Sequence, residues 1–166
     1  MKAKRLSASS ASIFLPFFVD GCSLLVFKLL RVMHPFAQQH GMLRVRLPWP
    51  EKELSPNARL HWSRKGKAVR QYRDTCYWQS VSQLGANPAV PAGPLALTLE
   101  FAAPNRRSYD RDNLLARMKA GLDGFADALG IDDRRFATLV VRTVAPSPGG
   151  FVFVTVEADP SGYQEV

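Results

Sequence analysis

Hydrophobic positions recur along this chain at two different periods, and the change of period marks its elements. Leu43, Val45 and Leu47 alternate with Arg44 and Arg46, the period-two pattern of a half-buried strand over 42–47. Pro48-Trp49-Pro50 stops it, and residues 51–63 read as loop with a turn at Ser55-Pro56-Asn57. From about Lys67 to Leu84 the period becomes helical. Val69, Tyr72, Cys76 and Leu84 share one face, while Lys67, Arg70 and Arg73 spiral across another. Prolines and glycines make 85–94 a loop. Leu95, Leu97, Leu99 and Phe101 then alternate with Ala96, Thr98 and Glu100, a second strand over 95–101. After polar residues 104–111, Asp112 reads as a helix N-cap. Leu114, Leu115, Met118, Leu122, Phe125 and Leu129 form the apolar stripe of a helix that ends at Gly130. Phe136–Thr143 and Phe151–Glu157 read as strands, and the Pro-Ser-Pro-Gly-Gly loop between them predicts a hairpin. The predicted order is β-α-β-α-β-β. This is an α/β (α+β) single domain, a mixed sheet packed with two main helices, without internal repeat.

Composition changes this picture little. The 166 residues suit one domain, and the 46% hydrophobic fraction suits a packed core. Two cysteines, Cys22 and Cys76, supply neither a disulfide framework nor a CxxC metal pattern, so a cytoplasmic, reducing setting is expected. The net charge of +8 divides evenly, +4 over residues 1–41 and +4 over the rest. Its local distribution matters more. Arg59, Arg64, Lys65, Lys67, Arg70 and Arg73 fall in one stretch with no acid among them. Such a stripe can track a phosphate backbone, or simply form a solvated helix face.

Residues 1–41 differ from the body. MKAKR precedes an apolar run, as in a signal peptide, but Pro16, Asp20 and Lys28 break that run and no small-residue cleavage site follows. The uninterrupted stretches fall short of the roughly 20 apolar residues a spanning helix needs. The segment is expected to be a non-essential extension or a mis-assigned start, with Met42 as a candidate natural start and 42–166 as the domain. A membrane-surface segment and a partner-binding helix are the alternatives. No stable membrane association is expected.

Candidate chemistry sits in the second helix. Asp110 and Asp112 are separated by one residue where loop becomes helix, so in an extended segment both carboxylates face one side. Two carboxylates about 4 Å apart repel by about 4 kcal/mol at an effective dielectric near 20, and a bound divalent ion removes that penalty. Magnesium typically takes one or two carboxylates and keeps waters for a substrate phosphate. Lys119, seven positions after Asp112, shares its helix face. Arg117 lies off that face. Asp132-Asp133 follows the helix and returns to the same site if helix and next strand run antiparallel. Each residue also has a plainer reading: Asp112 as a cap, Asp110 as an Asx turn, Lys119 as a partner of Asp123, Asp132-Asp133 as a loop turn.

Together these residues resemble the RusA-type crossover junction endodeoxyribonucleases, a group common in prophages. The resemblance covers about Leu43 to Val156. It rests on Leu47-Pro48-Trp49-Pro50 with Ser55-Pro56-Asn57, on Asp110-Arg111-Asp112-Asn113-Leu114, and on Asp132-Asp133 after the helix. It implies a homodimeric endonuclease that uses magnesium (Mg2+), and no small-molecule cofactor, to resolve four-way (Holliday) DNA junctions by paired phosphodiester hydrolysis. Asp110, Asp112 and Asp133 match the family's metal ligands, with Asp132 as the alternative to Asp133. The family lysine comes one turn after the second aspartate, where this chain has Ala116; Lys119 stands one turn further on and is the expected catalytic amine. Arg106, Arg107 and Arg111 are then expected to hold flanking phosphates, and Asn57, Arg64, Lys65, Lys67 and Arg70 to guide a duplex arm. His61 and Trp62 are candidates to meet a base at the branch point, although Trp62 is expected in the core. Two other functions fit the same residues: a non-catalytic phage DNA- or RNA-binding regulator, and a structure-specific nuclease for other branched DNA.

Overall fold

A computed structural model describes residues 38, 39 and 41–161. Except for residues 38, 39 and 41, the expected extension lies outside them. The elements are β1 (Gln38–Gln39), β2 (Met42–Pro48), a 3-10 turn at Lys52–Leu54, α1 (Trp62–Leu84), β3 (Leu95–Ala102), α2 (Arg111–Leu129), a 3-10 turn at Asp133–Arg135, β4 (Phe136–Val144) and β5 (Phe151–Ala158). The expected mixed sheet with two main helices is present. β1 is a short addition that pairs antiparallel with the start of β2.

The sheet order is β1-β2-β5-β3-β4. β5 pairs antiparallel with both β2 and β3, and β3 pairs parallel with β4. β2, β3 and β4 therefore run in one direction, and α1 and α2 are the return connections between them. Alternation does what the pattern predicts. Leu43, Val45 and Leu47, Leu95, Leu97, Leu99 and Phe101, and Val152, Val154 and Val156 are all buried on one face, against Tyr72, Cys76 and Leu84 of α1 and Leu114, Met118, Phe125 and Leu129 of α2. Each such side chain contributes about 1.5–3 kcal/mol when fully buried. On the other face Arg44 lies 4.2 Å over the Phe153 ring and bonds Glu100 at 2.8 Å, while Arg46 lies 4.1 Å over Phe151. The strand arginines thus cover the aromatic rings of the neighbouring strand.

The predicted hairpin of β4 and β5 does not form. β3 is buried at six of its eight residues and pairs along both edges; β4, delivered by α2, takes one side and leaves the other to β5. Residues 145–150 instead cross over the end of β3, held by Ser147 N–H donating to Ala103 O at 2.9 Å. Gly150 has φ +64° and packs so closely on Pro104 that an added Cβ would stand 2.9 Å from Pro104 Cδ.

Both helix starts also differ from expectation. α1 begins at Trp62 rather than near Lys67, capped by His61, whose Nδ1 accepts from Ser63 N–H. No residue of α1 before Tyr72 is buried. Trp62, expected in the core, is 80% exposed, and Val69 is also exposed. These first turns carry no apolar period because they bury no large side chain, the partly buried Ala68 being what they rest on the core. In α2 the cap is Asp110, not Asp112: its carboxylate accepts from Asp112 N–H at 3.2 Å and from Asn113 Nδ2 at 2.8 Å. The helix ends at Gly130 as predicted, in the left-handed region.

Candidate functional site

The parallel course of β2, β3 and β4 brings three loops to one edge of the sheet: residues 49–61, 103–110 and 145–150. The starts of α1 and α2 lie at the same edge. Crevices at the carboxyl ends of parallel strands are common ligand sites. Here an aromatic cluster holds the loops together. Trp49 meets Phe101 edge-on at 6.0 Å and Tyr109 at 5.2 Å. Arg117 of α2 donates to Glu51 O at 3.0 Å and to Pro50 O, and its burial lowers its pKa. Arg117 is therefore a brace for the loop after β2.

Asp110 and Asp112 both sit exposed at this edge, in the first turn of α2. Asp110 already accepts two hydrogen bonds from its own helix, which orients the carboxylate and leaves further lone pairs. Asp112 accepts no hydrogen bond and joins no ion pair among the described residues. A pair of oriented, exposed carboxylates meets what magnesium asks of a protein when substrate phosphate and water complete its shell.

The third carboxylate is elsewhere. α2 has 19 residues, about 28 Å of helix, and Asp133 follows its far end. Helix and next strand do run antiparallel, but that carries the chain away from Asp110 to the opposite sheet edge. Among the described residues no group of three or more Asp, Glu, His or Cys is placed to hold a metal ion. At the far edge Asp132 caps the turn by accepting from Arg134 N–H at 2.9 Å. That backbone bond, then a side-chain hydrogen bond with Asp133 and the Arg134 charge, holds the Asp132 carboxyl below its ordinary range. Asp132 is thus spent on local structure, and Asp133 is the freer of the two. Arg135 anchors the preceding loop through the carbonyls of Pro91 and Gly93.

Lys119 is exposed, forms no ion pair with Asp123, and lies seven residues down α2 from Asp112, about 10 Å along the axis. It stands beside the middle of the helix rather than beside the acidic pair. Of the expected cations, Arg64, Lys67, Arg70, Arg106, Arg107 and Arg111 are exposed and take part in neither of the two ion pairs among the described residues. Arg73 is withdrawn from the stripe by Asp127 at 2.6 Å. Lys65 reaches the Pro56 carbonyl at 3.5 Å, and Asn57 is exposed in the same loop.

Sequence reasoning missed the role of residues 105–109. Asn105 Oδ1 accepts from Arg107 N–H at 3.0 Å and from the Tyr109 hydroxyl at 3.3 Å, which shapes the loop into one wall of a cleft. Its signal was present as an Asn turn with an aromatic four residues on, inside a run read only for charge.

Fold and edge define a class: an α+β domain whose carboxylates and uncommitted cations collect where its parallel strands end. The chain belongs to the same family as an uncharacterized protein of Xylella fastidiosa (strain Temecula1 / ATCC 700964), to which it is 48% identical over 116 residues, 69% of this chain and 76% of that protein. No family model matches the chain.

Proposed function

We propose that this protein is a magnesium-dependent, RusA-type endonuclease that resolves four-way DNA junctions as a homodimer in the cytoplasm. The observation that supports it best is the shared edge. Asp110 and Asp112 stand there with Arg106, Arg107, Arg111 and, from the first turns of α1, Arg64, Lys67 and Arg70, all exposed and in no ion pair among the described residues. Acids that can hold a cation, ringed by cations that can hold phosphates, are what phosphodiester hydrolysis requires of a protein surface.

In this reading Asp110 and Asp112 hold the ion, and Asp133 of a second copy completes the ligand set. One chain cannot supply it, because about 28 Å of helix separates the two ends. Two copies with α2 packed antiparallel bring each Asp133 to the other copy's Asp110. Bound magnesium supplies Lewis-acid activation of the scissile phosphate. Arg106, Arg107 and Arg111 grip the phosphates on either side, and Arg64, Lys65, Lys67 and Arg70 with Asn57 receive a duplex arm. Lys119, near the helix midpoint, meets phosphate where a strand runs along α2. Two identical sites suit a junction with two-fold symmetry.

The test is cleavage of a synthetic four-way junction with and without magnesium, by wild type and Asp112→Asn. Wild type cuts only with magnesium; the variant binds the junction and does not cut. Full activity in Asp112→Asn removes the metal-site reading. Tight binding by wild type without cutting under any divalent ion favours the non-catalytic DNA-binding regulator, while preferential cutting of flaps or forks favours the broader branched-DNA nuclease.

A further inference from the structure

Beside the acidic pair lies a cleft of about 330 Å3, bounded by Trp49, Asn105, Tyr109 and Pro146, with Phe101 and Leu114 at its base. Arg106 and Arg107 line its mouth. We propose that it takes one unstacked nucleotide, base against the aromatic cluster and phosphate on the arginines, and so reads the base next to the bond that is cut. The last clause rests on the nuclease reading; the nucleotide site itself does not.

Size argues for a single nucleotide. The volume sits at the small end of the roughly 300–1000 Å3 of ligand pockets, far too little for duplex. The lining argues for a base. Trp49 and Tyr109 are half-buried and set at 68° to one another, so each offers apolar ring surface that a flat ring can meet. Single-stranded nucleic acid is commonly held on such aromatic surfaces. The polar group argues the same way. Asn105 Oδ1 is spent on a backbone N–H and a hydroxyl, which leaves its Nδ2 as the unspent end. That amide can only donate, so it favours a base presenting a carbonyl or ring-nitrogen acceptor. The phosphate end follows from chain geometry: Arg107 is three residues from Asp110, so a phosphate held at the mouth stands next to the carboxylates. Behind the lining, Gly150 packs its backbone on Pro104 and Trp49 with no room for a side chain, which holds the loop that carries Pro146 against Trp49.

The experiment uses the full chain without magnesium, with tryptophan indoles labelled with 15N and the Trp49 resonance assigned through Trp62→Phe and Trp78→Phe. The probes are a single-stranded deoxytetranucleotide and the same strand made abasic, equal in charge. The proposal expects the base-bearing strand to move the Trp49 indole saturably. The abasic strand should bind about tenfold or more weaker and leave that indole in place, and Tyr109→Ala should erase the difference. A silent Trp49, or equal binding of both strands, overturns the pocket. Junction cleavage with a silent Trp49 would leave the nuclease standing without the pocket; a responsive Trp49 without junction cleavage would do the reverse.

Discussion

Gly124 decides how closely the two helices meet. A Cβ there would stand 2.3 Å from the Arg73 carbonyl oxygen, and one at Gly121 would stand 2.7 Å from the Tyr72 ring. Gly124→Ala should therefore force α1 and α2 apart and cost about 1–3 kcal/mol, read as a lower urea midpoint at unchanged slope. Cys76 lies in the same interface. Burial pushes its thiol up to about 12, the Tyr72 hydroxyl opposing only in part. A raised folded-state value means that the folded chain keeps a proton the unfolded chain has lost. This contribution is full below the ordinary thiol range and is lost as pH rises from about 9 toward 12. In a Cys22→Ser background, Ellman's reagent at pH 8 should find no reactive thiol until the protein is denatured. At this scale the acidic pair was legible and its division of labour was not. Residue type places two acids at a helix start; which one caps depends on where the first helical carbonyl falls, and the chain begins α2 two residues before the position that apolar spacing indicated.

The basic first turns of α1 rest on the core through partly buried Ala68 and bury no basic side chain. With no buried residue before Tyr72, Arg64, Lys67 and Arg70 are free to meet a ligand without disturbing the core. Replacing each with Gln should leave thermal stability unchanged and lower the slope of log affinity against log salt by about 0.9 per phosphate contact removed. An unchanged slope would take α1 out of the DNA surface. Sparse contact with the core is also why the helix start was not legible, since apolar periodicity reports only packed turns. Strand neighbours escaped for another reason. Period two shows that β4 and β5 exist and which residues face in, but a six-residue loop is as able to cross one strand as to turn back. The difference lay in β3, whose demand for partners on both edges is a property of the sheet. At the other sheet edge, Asp159 joins β5 to β4 by accepting from Thr138 Oγ1 at 2.7 Å. Hydrogen bonds from Ser161 and Thr138 hold its carboxyl below the ordinary range. A lowered value means the latch is present above the unfolded carboxylate range and lost as pH falls through the folded one. The protection factors of the residue 159–161 amides, exchange rates taken relative to an unstructured chain at the same pH, should fall on acidification and, in Asp159→Asn, already at neutral pH.

For the whole molecule, the proposed shared site makes a sharp claim about subunits, since Asp110 and Asp133 stand at opposite ends of α2. Asp112→Asn and Asp133→Asn should each be inactive alone. Mixed and re-equilibrated in equal amounts, they should recover about a quarter of wild-type nicking, because each mixed dimer contains one fully acidic site. No recovery would mean that Asp133 belongs to no site shared between copies. The motif that groups these acids could be read from sequence because motif spacing is one-dimensional. That they cannot meet within one chain became visible only when the helix between them was given its length.

The sheet order has a consequence for how this protein is made. β5 lies between β2 and β3, so the last of the described strands to leave the ribosome is an interior one. Until it emerges, β2 and the β3–α2–β4 unit have no strand between them, and each offers an open edge to other chains. A nascent chain stalled before Phe151 should therefore need chaperone protection that the finished chain does not, and a fragment ending there should aggregate on synthesis, while a peptide of residues 151–161 supplied in trans should rescue it.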